Sequence, residues 1–234
     1  MNSVVTPIGP TAVLLGLLAM PLPGSADTET ARHMGAQHDA MKAIQAAIIA
    51  GSLDAARDPA NRLLEQDASV AGEAANADYV EAVRLAASEV LAADTLESAA
   101  EAASQLGLAC GACHTANSAT VEFAEVRRPS DKEKERPHMQ RHQWAADRMW
   151  EGLIGPDGTA FSRGANLLFE SPVKPEVLAK HGGDEVVVGM SRRVHQLAAN
   201  ATTVREPGER AEIFAEFIAN CGACHAELAK GPSQ

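Results

Sequence analysis

Two identical pentapeptides constrain this chain more than any other feature of its sequence. CGACH occurs at 110–114 and again at 221–225, and the two copies contain all four cysteines of the chain. Each copy brings two thiols, at positions i and i+3, next to a histidine. Any fold of this sequence therefore has to present two such groups, and the chemistry of those groups directs the interpretation of the rest of the chain.

Two thiols with this spacing can form thioethers with the two vinyl groups of a haem, while the adjacent histidine supplies a nitrogen to the iron. Two alternatives use the same thiols: a zinc site built from four thiolates, or a redox dithiol of the thioredoxin type. Zinc does not need a histidine after each second cysteine, and the βαβ setting of thioredoxin motifs is not visible here. The repeated histidine favours two covalently attached c-type haems, each containing iron. The residues that would hold them are Cys110, Cys113, His114, Cys221, Cys224 and His225.

The chain around the pentapeptides is also repeated. Cys221 follows Cys110 by 111 residues, and at that offset the amphipathic segment 84–91 falls on 195–202. Nearer the front of each half, HMGAQH at 33–38 resembles HMQRH at 138–142, where the two final histidines are 104 residues apart. Because the matches run in the same order, we interpret the chain as two homologous units joined by small insertions.

Each unit has the pattern of four amphipathic helices separated by turns. Three consecutive valines within 184–190 could form a strand, but no partner strand is visible. Four antiparallel helices with short loops form an up-down-up-down bundle. The predicted helices are 29–50, 53–67, 74–93 and 95–113 in the first unit, and 138–154, 158–170, 184–202 and 206–224 in the second. The predicted fold is all-α, with two tandem four-helix bundles at 27–118 and 138–234, each with one covalently bound c-type haem. A charged linker at 119–137 joins them, and we expect its segment 127–137 to be solvated. The bundles could pack as an internal pseudo-dimer or sit apart.

The first 26 residues contain no charged side chain. An apolar run at 11–20 is broken by prolines and followed by Gly24, Ser25 and Ala26, which are small enough for a cleavage site. The run is short for a membrane span of ~20 residues. We predict a signal peptide at 1–26, although it has no Lys or Arg at its start. An uncleaved membrane anchor is the alternative.

The net charge of −11 disfavours nucleic acid as a partner, because its phosphates would repel the chain. The same charge suits redox protein partners that have a basic docking surface.

The position of CxxCH on the last helix of each four-helix pattern resembles the class II c-type cytochromes, the cytochrome c-prime type. The resemblance covers both halves. It implies a haem inside each bundle, thioethers at the four cysteines, and His114 and His225 as proximal ligands. It also implies haem attachment outside the bacterial cytoplasm, and so a periplasmic protein. The first helix of each bundle would face the opposite side of the haem. In six-coordinate members of the family that helix usually supplies a Met, whereas in five-coordinate members an apolar residue stands there and small gases bind.

For the sixth ligand we predict His38 and His142, which lie at matching positions within the apolar heptad stripes of their helices. We expect His33 and His138 near the helix starts, exposed, and His181 and His195 at the surface. The competing ligands are Met34, Met41, Met139 and Met149.

Bis-His ligation makes both haems low-spin and lowers their potential relative to His/Met ligation. The predicted function is outer-sphere electron transfer by an exported dihaem c-type cytochrome, not an enzyme. The alternative is a gas-binding or gas-sensing protein with at least one five-coordinate haem. A dihaem peroxidase would need distal acid-base groups, for which Arg141 beside His142 is the one pattern present.

Overall fold

The computed structural model describes residues 25–65, 73–129, 136–170 and 174–230. Within these ranges the chain forms nine helices and no strand, so the all-α prediction is confirmed. The helices are α1 (Ser25–Ile49), α2 (Leu53–Glu65), α3 (Glu73–Ala92), α4 (Leu96–Ala116), α5 (Arg136–Ile154), α6 (Gly158–Glu170), α7 (Pro175–Lys180), α8 (Glu185–Ala201) and α9 (Pro207–Ala229). The segment 1–24, which holds most of the predicted signal peptide, lies outside the described residues. Among the described helices, none is long and apolar enough to cross a membrane.

Short polar side chains set several helix starts. Thr95 and Ser98 form a reciprocal capping box at the start of α4, and the Ser52 hydroxyl accepts the amide of Ala55 in the first turn of α2, at 3.3 Å. Asp184 accepts two amides at the start of α8. These caps satisfy amides that have no partner inside the helix. The valine-rich segment lies in α8, so the helical prediction holds there and the strand alternative is wrong.

The structure differs from the predicted helix pattern in three places, the first being that α1 begins at Ser25 and not at 29. Segment 175–180 forms α7, where the sequence predicted only a connection, because six residues between a proline and two glycines are too short to show a helical period. In addition, α4 and α9 continue past their pentapeptides, so that each CGACH lies wholly inside a helix.

The helices pack in two rings of four. In the first half of the molecule (α1 to α4), each helix contacts the next, and α4 returns to α1. In the second half (α5 to α9), α5, α6, α8 and α9 repeat this arrangement, and α7 contacts α8. The ring order is the one expected for antiparallel neighbours joined by short loops.

The two halves pack against each other rather than sitting apart. α4 lies along α9, and the first helix of each half contacts the last helix of the other, α1 with α9 and α5 with α4. The Trp150 ring of α5 packs directly on Gly107 of α4. The buried apolar side chains of both halves consequently form one continuous cluster. Of the two arrangements left open by the sequence, the internal pseudo-dimer is the one found.

Most described residues of the predicted linker are exposed, but Phe123 and the backbone of Val126 contact the helices. Phe123 lies against the core, with its ring centroid 5.6 Å from that of His38. The Trp144 indole N–H donates to the carbonyl oxygen of Val126 at 3.0 Å. The segment expected to be solvated begins at 127, and Arg127 and Arg128 are exposed. Residues 130–135 lie outside the described ranges, and α5 begins at Arg136.

Candidate functional site

Both pentapeptides occupy the C-terminal part of the last helix of their half. Residues three apart on a helix lie on the same face, so the two sulfurs of each pair face the same side. Cys110 and Cys221 are buried, whereas Cys113 and Cys224 are partly exposed, and all four are free thiols. Each helix therefore presents a paired set of sulfurs that runs from the core towards the surface.

Burial controls the protonation of these thiols. It raises the pKa of Cys110 and of Cys221 to about 12, and the neighbouring cysteine adds to the shift in each case. Burial also raises the pKa of Cys113 and of Cys224. The four sulfurs are therefore neutral near pH 7, whereas redox dithiols depend on a lowered thiol pKa. This disfavours the dithiol alternative, and a buried neutral sulfur suits a thioether.

The histidine of each pentapeptide is oriented by a backbone carbonyl. His114 Nδ1 lies 2.6 Å from the carbonyl oxygen of Ile154, and His225 Nδ1 lies 2.6 Å from that of Ile49. A carbonyl can only accept, so Nδ1 carries the proton and the lone pair of the neutral ring is on Nε2. Histidines that bind metals show this pattern, with the second nitrogen donating to a carbonyl or carboxylate. The two sites therefore fit a haem with iron at Nε2.

In the second half the structure brings a predicted sixth ligand to the pentapeptide. A cavity of about 170 Å³ lies between α5 and α9, with α8 on one side. Its walls include Met139, His142, Met190, Cys221, Cys224 and His225. Sites for small molecules usually enclose ~300–1,000 Å³. The cavity is smaller than this range, so its walls would have to move apart to hold a haem.

In the first half a methionine stands next to the pentapeptide. The Cys110 thiol lies 3.6 Å from the Met41 sulfur, and Met41 is buried. His38 contacts Phe123, and burial lowers its pKa, with Lys42 adding to the effect. Its buried Nε2 has no hydrogen-bond partner among the described residues. The role of His38 as sixth ligand stays a prediction.

The packing also revises how the two first helices correspond. The two carbonyls that orient the histidines are 105 residues apart. This register pairs the HM dipeptides at 33–34 and 138–139. His38 and His142, which are 104 residues apart, then differ by one residue, or about 100° around a helix. Their equivalence, which the sequence suggested, is corrected by this register, and the HM pair was the signal that could have shown it.

The corrected register makes the two sites unequal. Met41 of the first half corresponds to Ala146 of the second, which lines the cavity beside Cys221. The thioether of Met41 therefore fills space next to Cys110. The methyl group of Ala146 leaves the corresponding space next to Cys221 open.

Two polar contacts that the sequence did not indicate hold these helices. The Asn117 side-chain amide donates to Asn76 of α3 at 2.8 Å and to the carbonyl of Cys113 at 2.9 Å. In the second half, Asn220 donates to the carbonyl of Met190 on α8 at 2.9 Å. Each contact ties the pentapeptide helix to the preceding helix of its ring.

The remaining histidines differ in their surroundings. His181 is exposed, as predicted. His33 contacts Gln37 at 2.8 Å and is partly buried. His195, predicted at the surface, is half-buried, because it points between helices and donates from Nδ1 to the carbonyl of Leu168 at 2.8 Å. The side chain of His138, which was predicted to be exposed, lies outside the described part of the chain. Among the competing methionines, Met149 is fully buried in the core.

Two further features of the described residues bear on partners and metals. A groove of about 880 Å³ runs between the early turns of α4 and α9, with a floor of alanines. Its acidic residues are Glu89, Asp94, Glu97, Glu101, Glu212 and Glu216. Across the described ranges, no three His, Cys, Asp or Glu side chains converge on one point in the manner of a metal site.

Comparison of the chain with protein-family models, with curated proteins and with solved structures finds no match.

Proposed function

We propose that this chain is an exported dihaem c-type cytochrome of the class II kind, built as two tandem four-helix bundles, and that it carries electrons between redox proteins. One observation carries the proposal. In both halves, a histidine that follows two helical cysteines donates from Nδ1 to a carbonyl and keeps Nε2 available. The duplicated CGACH supplies the thiols in the spacing that haem attachment needs.

The residues that would hold each haem follow from this arrangement. Cys110 and Cys113 would form thioethers in the first site, as would Cys221 and Cys224 in the second. His114 and His225 would bind the two irons through Nε2. His142 is the proposed sixth ligand of the second site, on the wall of the same cavity. For the first site His38 remains the proposal, with Met41 beside Cys110 as its competitor. When bound, each haem supplies a one-electron ferric/ferrous couple.

The residues of the chain would keep the protein environment of each haem the same in the ferric and the ferrous states. The carbonyls of Ile49 and Ile154 fix the plane of each proximal histidine ring. The buried cysteines and the apolar side chains of four helices exclude water from one side of each site. Outer-sphere transfer needs little rearrangement of ligands, and a ring held at Nδ1 within a packed core meets that requirement.

The proposed partner is a redox protein with a basic surface, and the proposed location is the periplasm. The acidic groove between α4 and α9 supports the first proposal, because six carboxylates surround an alanine floor there. Opposite charges raise the rate at which two proteins meet, and this effect weakens as salt increases.

One observation favours a second function. Ala146 leaves space beside Cys221 that Met41 fills beside Cys110. If His142 serves only in packing, the second haem would be five-coordinate and a small gas molecule would have room to bind. The chain would then be a gas-binding or gas-sensing protein at that site.

Optical spectra separate the two functions. We expect the purified chain to carry two covalent haems by mass, with sharp reduced α and β bands, no sulfur-to-iron charge-transfer band, and no change with carbon monoxide. His142→Ala should make one haem of the two bind carbon monoxide, whereas His181→Ala, at an exposed histidine, should change neither haem. A wild-type spectrum that is high-spin and shifts with carbon monoxide would instead identify the gas-binding alternative. A chain without covalent haem would overturn both.

A further inference from the structure

The two hydrogen bonds that orient the pentapeptide histidines cross between the halves. His114 of the first half donates to Ile154, the last residue of α5. His225 of the second half donates to Ile49, the last residue of α1. Carbonyls in the last turn of a helix have no amide partner within the helix. Each first helix therefore offers its terminal carbonyl to the histidine of the other half.

The glycine of each pentapeptide makes this crossing possible. A Cβ atom built on Gly111 would overlap the carbonyl oxygen of Leu153, and one built on Gly222 would overlap that of Ile48, both well inside the 3.0 Å that real Cβ atoms respect. Gly35, Gly189 and Gly208 show no such crowding, since a Cβ there would meet nothing within 4 Å. The end of the opposite first helix thus rests directly on the glycine backbone.

The alanine that follows the first glycine lies in a different environment. Ala112 is exposed, although it belongs to the same pentapeptide. Within the first pentapeptide, the glycine and the histidine are therefore the positions shown to contact the opposite half. Haem attachment through CxxCH leaves both middle positions free, so attachment does not account for a glycine at the first of them.

We infer that Gly111 and Gly222 are positioning residues which seat the end of the opposite half's first helix, so that each haem site is completed by a carbonyl from the other half. This inference rests on the proposed function for its haem, but the hydrogen bonds belong to the chain itself. Donation from Nδ1 fixes the tautomer of the histidine and makes Nε2 a stronger donor to iron. Each half consequently affects how strongly the histidine of the other half donates to iron.

The test compares Gly111→Ala and Gly222→Ala with Ala112→Ser in the full-length chain as isolated. An alanine at 111 should push the end of α5 away and break only the bond of His114, while Gly222→Ala should break only that of His225. Loss of an outer-shell partner lowers metal affinity by about tenfold or more. A more strongly donating histidine favours ferric over ferrous iron, so we assign this tenfold loss to the ferric form. We therefore expect the midpoint potential of one haem to rise by about 59 mV, the value for a tenfold change in a one-electron couple.

Potentiometric titration of each variant measures this shift. The expected result is one haem moved in each glycine variant and neither moved in Ala112→Ser. Equal movement of both haems in a glycine variant, or no movement in either glycine variant, would overturn the inference, since a purely structural glycine would not select the haem of its own pentapeptide.

A second measurement needs no variant and covers the case in which the alanine variants do not fold. Long-range proton–nitrogen NMR spectra of the ¹⁵N-histidine-labelled chain report which ring nitrogen carries the proton. We expect His114 and His225 to be protonated at Nδ1, with slow exchange of that proton. Rapid exchange or protonation at Nε2 would overturn the inference. The spectra can be read with or without haem, so a chain that lacks haem would disprove the proposed function and still test the crossed bonds.

Discussion

A hydrogen bond from Nδ1 of a half-buried histidine does not by itself identify that histidine as a metal ligand. His195 donates from Nδ1 to the carbonyl of Leu168, as His114 and His225 do to their carbonyls. Its Nε2 is buried and has no partner among the described residues. Yet no cysteine pair adjoins it in the sequence. The ligand assignment therefore needs the thiols as well as the ring geometry.

The environment of His195 predicts how stability depends on pH. Burial lowers its pKa below 6.5, although the hydrogen bond to the Leu168 carbonyl partly opposes this. The unfolded chain then binds the proton first, so stability is fully present above pH 6.5 and falls as the pH drops towards the folded-state pKa. His38 shifts in the same direction.

When the pH drops from above 6.5 to below the folded-state pKa of His195, the free energy of unfolding of the wild type should fall. We expect it to fall less in His195→Gln. Urea unfolding at the two pH values measures the difference, and His181→Gln serves as an exposed control. An unchanged acid slope in His195→Gln would show that His195 does not contribute.

At the scale of helices, a group of aromatic side chains in the core connects helices of both halves. Phe214 of α9 is fully buried, with its ring centroid 5.7 Å from that of Trp150 on α5 and 6.4 Å from that of Phe217. Trp150 in turn packs on Gly107 of α4. This aromatic group joins three helices that belong to both halves.

Phe214→Ala should therefore lower the free energy of unfolding by about 3–5 kcal/mol, because it removes a large buried side chain and leaves a cavity. Val186→Ala is the control, since Val186 is 54% exposed in the first turn of α8, and we expect a change within about 0.5 kcal/mol there. Chemical denaturation of both variants checks this. A loss at Phe214 no greater than at Val186 would contradict the packing described.

Sequence patterns predicted the long helices and missed what depends on contact between distant segments. The role of the cysteines stays a prediction. The apolar period and the caps at Ser52 and Thr95 were local signals, so the helix starts followed from them. The partner of His114 is 40 residues away and is a backbone carbonyl, which no side-chain pattern encodes. The burial of Phe123 likewise depends on helices that only the folded chain brings to it.

For the whole molecule, the shared core leads us to expect that the halves hold together without their covalent connection. Helices α4 and α9 lie side by side, and each first helix bridges to the other half. The apolar cluster runs through both rings without a break. Burial of this kind resembles an obligate interface, whose separated parts would expose apolar surface to water.

A protease site inserted within 130–135 tests this. After cleavage we expect the two fragments to elute together at the mass of the intact chain, and to separate only in denaturant. Their unfolding midpoint should also become dependent on protein concentration, since folding is then coupled to association. The uncleaved chain is the control. Fragments that separate under native conditions would contradict a shared core.

The crossed hydrogen bonds also set an order of events during synthesis. A chain emerges from its N-terminus, so His114 appears 40 residues before the carbonyl that receives it. His225 appears 176 residues after its own acceptor, Ile49. The N-terminal site therefore cannot gain its crossed bond before Ile154 has been made, whereas the acceptor of the C-terminal site precedes its histidine. Whatever machinery handles the nascent chain would meet an unfinished first site, and a second site whose acceptor has already been made.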